Sequence, residues 1–218
     1  MPFRLPNDTQ RLTVIGKTGS GKTQFATWIL SERSFDKKPW VVFDFKRDHL
    51  LNEIPATHHI GIEEKLPKKA GLYIVHPTPA DKEHVEKLMW SIWAKENVGV
   101  YVDEGYMIDL NSDAFQAILT QGRSKRIPVI MLTQRPSWVT RFAFSEADYI
   151  SLFGLTDTRD QKTVKQFMPL PIENRLDPYH SYWWDNAKNY GAVLQPVPDE
   201  VSILNRFHDR LVKPKRIL

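Results

Sequence analysis

Short apolar runs recur along the chain, each ending in a polar or glycine-containing segment. They lie at Arg11–Ile15, Trp40–Asp44, Leu72–Val75, Val98–Val102, Pro128–Leu132 and Tyr149–Phe153. Runs this short with little alternation read as strands buried on both faces. Helical spacing fills the intervals. Phe25, Trp28 and Ile29 mark one face after Thr23. Val85, Leu88, Met89, Ile92 and Trp93 mark a second helix, with Thr78 expected as N-cap, Pro79 at the first position and Asp81 in the first turn. Ser112 to Gln121 predicts a third helix, with Phe115, Ile118 and Leu119 inward and Gly122 ending it. A fourth is expected over Asp157–Phe167, stopped by Pro169 and Pro171. Residues 52–70, with Pro55, Pro67 and several charges, look irregular. His180–Trp184 and Tyr190–Leu194, around Asn186–Asn189, predict a hairpin. Strands alternating with helices imply an α/β fold, a mostly parallel central sheet flanked by helices, closed by a C-terminal β-hairpin.

Composition narrows this only slightly. With 218 residues and 41% hydrophobic content, the chain fits one domain with a sizeable core. It is expected to be a single domain over 1–218, with a core of about 10–155 and an extension of about 156–218 ending in a basic tail, Lys213 with Lys215 and Arg216. No apolar run approaches the roughly 18 residues of a membrane span, and no leader is expected at the start. Cysteine is absent from the sequence, which excludes disulfides and thiolate metal sites and suits a cytosolic protein. A net charge of +4 permits a nucleic-acid partner without demonstrating one.

The chemistry begins at Gly16-Lys17-Thr18-Gly19-Ser20-Gly21-Lys22-Thr23, which fits the phosphate-binding pattern G-x-x-x-x-G-K-[ST] between a strand and a helix. Backbone N–H groups there form an anion-binding concavity at a helix N-terminus. Lys22 is expected to supply charge to the β- and γ-phosphates of ATP, and the Thr23 hydroxyl to ligate Mg²⁺. Asp103 and Glu104 end a buried strand: Asp103 is expected to hold Mg²⁺ through water, and Glu104 to take the proton from an attacking water. Gln134 ends the next strand, where a neutral amide can bind both the γ-phosphate and that water. Arg123 lies in the basic stretch Arg123-Ser124-Lys125-Arg126. In a ring it can reach a neighbour's γ-phosphate; otherwise it is a solvated turn or a DNA-backbone contact.

Gly16–Thr23, Val98–Glu104 and above all Arg123–Pro136 (Arg-Ser-Lys-Arg-Ile-Pro-Val-Ile-Met-Leu-Thr-Gln-Arg-Pro) resemble the FtsK–HerA superfamily of ring-forming DNA-pumping ATPases. The short length looks like the genome-packaging ATPases of tailless double-stranded DNA viruses with an internal membrane. The resemblance covers roughly residues 10–155. It implies a RecA-like P-loop NTPase fold, a homo-oligomeric, hexameric ring, ATP- and Mg²⁺-dependent translocation of double-stranded DNA, and docking on capsid vertex or portal proteins. The setting implied is the host cytoplasm, with association to a virion at the packaging vertex. By the same resemblance Lys22 and Thr23 match the phosphate loop, Asp103 the metal carboxylate, Glu104 the base, Gln134 the sensor and Arg123 the trans-acting arginine. Arg126 and Arg159 remain alternatives for that last role. Asp44-Phe45-Lys46 is similar to an Asp-x-Lys segment of the family.

The chain departs from FtsK-type translocases, which carry membrane spans and a C-terminal winged helix, and from the multidomain HerA type. Candidate DNA contacts are Lys46-Arg47, Lys65 with Lys68-Lys69, Lys125-Arg126 and the basic tail. Trp90, Trp183 and Trp184 suit packing better than base stacking. Rival readings are a conjugation-type or filamentous-phage assembly or secretion ATPase, a small-molecule kinase, and a non-motor ATP-gated subunit of a virion vertex. The strand-end Glu104 and the Thr133–Pro136 segment disfavour the kinase.

Overall fold

The computed structural model describes residues 4–212. The elements run β1 (Arg11–Ile15), α1 (Lys22–Ser31), β2 (Pro39–Asp44), α2 (His49–Asn52), β3 (His58–His59), β4 (Gly71–Val75), α3 (Lys82–Lys95), β5 (Gly99–Asp103), α4 (Asp113–Gln121), β6 (Val129–Thr133), α5 (Phe142–Ser145), β7 (Tyr149–Leu152), α6 (Thr158–Lys165), β8 (Ser181–Asp185), β9 (Tyr190–Leu194) and α7 (Glu200–Leu211). They build one nine-stranded sheet in the order β3-β4-β2-β5-β6-β1-β7-β8-β9. Strands β1 to β7 are mutually parallel, and β8 and β9 add as an antiparallel hairpin on β7. The fold is thus the α/β architecture expected, with the basic tail lying outside the described residues.

Side-chain alternation splits the core in two. Val41, Phe43, Val100, Val102, Val129 and Met131 face α3, α4 and α5. Their neighbours Trp40, Val42, Tyr101, Ile130, Leu12 and Val14 face α1 and α7. Both faces are covered, which is why the strands read as continuous apolar runs. At Gly99 the sheet approaches the Trp40 ring so closely that a Cβ would sit 2.1 Å from it.

Two local expectations need correction, and one is met by a different geometry. Thr78 does not cap α3. Its N–H and hydroxyl both donate to the Asp81 carboxylate, and Asp81 occupies the N-cap position, so the helix starts three residues later than the Thr-Pro signal suggests. Gly122 does close α4, but in a right-handed conformation (φ −60°). It is needed for space, since a Cβ there would lie 2.2 Å from the Ile118 carbonyl oxygen. The extension also contains more than a hairpin: α7 lies against α1. Asp199 caps α7 by accepting from the Ser202 N–H at 2.8 Å. Ile203 and Phe207 are fully buried, and Phe207 stacks on Phe35 at 5.8 Å. Arg206 and Arg210 both pair with Glu32 at the end of α1. Among the described residues no helix is long and apolar enough to cross a membrane.

Because Phe207 is the main apolar anchor of α7, Phe207→Ala should lower the unfolding free energy by about 3–5 kcal/mol. Val201→Ala, on the exposed side of the same helix, should change it by less than about 0.5 kcal/mol. Urea unfolding of the two variants measures the contrast.

Candidate active site

In a parallel sheet the C-terminal ends of the strands share one edge, where ligands bind. Here that edge collects the loop after β1 (16–21), the charged turn after β2 (Asp44–Asp48), Asp103-Glu104 after β5, Thr133-Gln134 after β6 and Phe153 after β7. The loop is tied to both neighbouring strands: Gly16 donates to the Thr133 carbonyl at 3.1 Å, and Phe153 donates to the Ile15 carbonyl at 2.8 Å. Gly19 and Gly21 have φ of 75° and 93°, conformations that glycine adopts without cost. Gly21 is the N-cap of α1 and carries no side chain, so the first-turn N–H groups point out of the helix end.

The sheet register sets the acidic centre. Asp44 lies opposite Asp103 across β2 and β5. Glu104 follows in a left-handed conformation (φ 65°), costly for a side chain with a Cβ, and is fully buried. Its Oε1 lies 3.3 Å from the Lys22 ammonium and also accepts from Lys46. Two cations therefore converge on one oxygen of a buried carboxylate, while Oε2 has no hydrogen-bond partner among the described residues. Burial works against the charge on Lys46, but its hydrogen bond to Glu104 and that carboxylate's charge prevail and raise its pKa. Lys46, although exposed, is thereby paired with Glu104; its neighbour Arg47 in that candidate DNA contact is exposed as well.

Asp103 is the opposite case. It is buried, and neither carboxylate oxygen accepts a hydrogen bond among the described residues. Burial, then the charge of Glu104, pushes its pKa from 3.8 up to about 7. An orphaned buried carboxylate beside a phosphate loop is the donor that a hard cation needs, and Thr23 in the first turn of α1 offers the matching hydroxyl. The residues present therefore fit Mg²⁺. No group of three or more His, Asp and Glu suited to a metal occurs among the described residues. Mg²⁺ in phosphate-loop sites takes most of its ligands from water and phosphate, so none is needed.

Gln134 touches the loop directly. Its Oε1 accepts from the Thr18 hydroxyl at 2.8 Å, and its Nε2 donates to the Tyr106 hydroxyl at 3.0 Å. Tyr106 was not evident from the sequence; it stands edge-on to Trp138, over which the Arg135 guanidinium lies. A second unforeseen line runs outward from Asp44: His76 approaches its carboxylate at 3.4 Å and His59 at 3.3 Å. Burial raises the Asp44 pKa, partly offset by N–H donation from Asp48 and by His76.

Arg123 is not part of this edge. It follows α4 and precedes β6, at the N-terminal edge of the sheet, and pairs with Asp148 there. Its side chain is 60% exposed. Arg126 shares that turn, with φ 56°, while Arg159 lies exposed in the first turn of α6. Lys125 is held by Glu96 at 2.6 Å and covers the Trp93 ring.

Comparison with known proteins adds to this picture. The chain is 46% identical over 218 residues to the DNA packaging ATPase P9 of Enterobacteria phage PRD1, covering 95% of this chain and 96% of that protein. Among solved structures it resembles the genome packaging NTPase B204 of Sulfolobus turreted icosahedral virus 2 in complex with AMPPCP. That match has a TM-score of 0.68 and 15% identity, and covers 88% of this chain and all of that one. It also resembles the pCW3 conjugation coupling protein TcpA, with a TM-score of 0.65 and 14% identity over 91% of this chain and 64% of that one. These structural likenesses show the fold. No family model matches the chain.

Asp103 makes a pH prediction. Between 3.8 and about 7 the folded protein keeps a proton on Asp103 that the unfolded chain has released. Stability from this group therefore falls as pH rises through that window, by up to about 1.4 kcal/mol per unit, and the loss is complete above it. With chelator present, Asp103→Asn should be more stable than wild type at pH 8, and the gap should shrink towards pH 4. Urea unfolding across that range tests it; a gap independent of pH would show that burial does not perturb this carboxylate.

Proposed function

Because the chain belongs to the family of the phage DNA packaging ATPase, we propose that it hydrolyses ATP in a homo-oligomeric ring and drives double-stranded DNA into a viral shell. The observation that carries this reading is the convergence, on one sheet edge, of a phosphate loop, a buried Asp103-Glu104 pair and a glutamine hydrogen-bonded to the loop. The backbone of Gly16–Thr23 and Lys22 bind the phosphate chain. Thr23 and Asp103 would hold Mg²⁺, whose charge offsets that of the β- and γ-phosphates. As Lys22 turns towards phosphate, Lys46 keeps Glu104 in place. Glu104 takes the proton from water while the water oxygen bonds to the γ-phosphorus and the bond to the β,γ-bridging oxygen breaks, leaving ADP and inorganic phosphate. Gln134 meets the γ-phosphate side and passes its state through Tyr106 towards Arg135 and Trp138.

Arg123 serves the neighbouring subunit's γ-phosphate, because its place at the far edge keeps it from its own. Charge placed there stabilises the transition state and ties turnover to assembly. The ring is a hexamer, its basic loops grip DNA phosphates without reading bases, and it docks on a capsid vertex or portal protein. It works in the host cytoplasm during virion assembly.

Glu104→Gln should bind ATP with near-wild-type affinity and lose about 10²–10⁴-fold in turnover. Normal hydrolysis in that variant would remove Glu104 from the mechanism. Arg123→Ala and Lys22→Ala subunits should each be inactive alone, and mixing them should restore part of the duplex-stimulated ATPase at shared sites. If co-assembled mixtures stay dead, the arginine does not act in trans.

A further inference from the structure

Beside the phosphate loop lies a cavity of about 570 Å³, lined on one side by Lys17, Gly19 and Ser20 and on the other by residues 153–156 and 172–182. It is too large for phosphates alone and is continuous with the loop that would hold them. The far wall is built. The Tyr182 hydroxyl donates to the carbonyls of Pro171 (3.0 Å) and Asn174 (3.3 Å), which fixes the start of the segment. His180 closes its end, with one ring nitrogen 3.1 Å from the Pro178 carbonyl and the other 3.0 Å from Gln195. Between these anchors Tyr179 is held in a left-handed conformation (φ 63°), 58% exposed. Its ring lies so close to Gly21 that a Cβ there would be 3.0 Å from it. The ring touches the helix N-cap on one side and leaves most of its surface open, at the conformational cost of a left-handed backbone.

We propose that this cavity seats the nucleoside half of the triphosphate, with the Tyr179 ring as the face on which the base stacks. This rests on the ATPase reading above and assigns a part of that site to the C-terminal extension. A nucleoside is the class that fits. The mouth combines apolar surface from Phe153 and Leu155 with polar groups, among them Thr156, Asn174 and Asp177, able to meet a base edge and ribose hydroxyls. Stacking tolerates different bases, because every base has a π-face, so affinity depends on the Tyr179 ring more than on the identity of the base.

The test compares ATP with inorganic tripolyphosphate on the full-length protein, by competition against a fluorescent ATP analogue. Wild type should bind ATP at least about tenfold more tightly than tripolyphosphate. Tyr179→Ala should lose about that factor for ATP and nothing for tripolyphosphate, and Tyr179→Phe should restore ATP binding. Equal losses for both ligands would mean that Tyr179 only props the loop, and would overturn the assignment. Photolabelling of wild type with 8-azido-ATP supplies a second reading, with label expected within residues 153–156 or 172–182; label elsewhere overturns it too. Wild type that binds neither ligand would sink the ATPase reading itself. Wild type that binds the two equally well would sink only this inference.

Discussion

A single buried carboxylate governs the arrangement of the catalytic edge. Glu104 has no exposed surface, and an ionised group in that position is tolerable only with opposite charge and hydrogen bonds at hand. Lys22 and Lys46 supply both, from elements that are distant in sequence and adjacent at the sheet edge. The pairing ties the phosphate loop to the turn after β2 through the end of β5. Removing either cation exposes the same buried charge, so the loop, the turn and the strand end are energetically one unit. The left-handed backbone at Glu104 belongs to that unit as well. It is what turns the carboxylate back towards both lysines, and Gly105, with no room for a Cβ beside Met131, lets the chain make the turn.

Asp103, its chain neighbour, has the reverse problem: burial without a partner. The two carboxylates differ because successive residues leaving a strand point in different directions. One meets two ammoniums. The other has no hydrogen-bond partner among the described residues, and the charges of Lys46 and Lys22 offset its burial only in part. The site therefore carries an uncompensated buried carboxylate, which the Mg²⁺ proposed above would offset.

The strands were legible because burial on both faces removes polar positions from each run, and the phosphate loop because its glycines and lysine leave few alternative structures. The positions of Asp103, Glu104 and Gln134 followed from where those runs stop. What escaped sequence reading has a common cause. The site roles of Tyr106 and Tyr179, and the partners of Lys46 and Phe153, come from register and crossover connections, which local patterning does not encode. The start of α3 failed for a different reason: Asp81 and Thr78 compete for the same capping geometry, and the carboxylate accepts two bonds from Thr78 where the hydroxyl could have satisfied one helix N–H. Helix α7 carried a readable signal, Asp199 ahead of Ile203, Phe207 and Leu211 at four-residue spacing, hidden by the prolines just before it.

The distribution of charge over the two edges of the sheet constrains how copies can meet. The triphosphate chemistry is confined to the C-terminal edge, while Arg123 stands at the N-terminal edge, half released to solvent and held by Asp148. A guanidinium there can meet a γ-phosphate only across a contact between unlike surfaces of two copies. Such a contact is heterologous and either closes into a ring or runs on as a filament. A two-fold dimer, which repeats one patch on both partners, would mate both sites only if each edge reached the other at once. A closed ring satisfies every site with one type of contact and leaves no free arginine. It also makes the Arg123–Asp148 pair a natural point of exchange. On the proposed ring arrangement the guanidinium would exchange Asp148 for the more highly charged γ-phosphate of a neighbour, so that assembly and nucleotide state would draw on the same side chain.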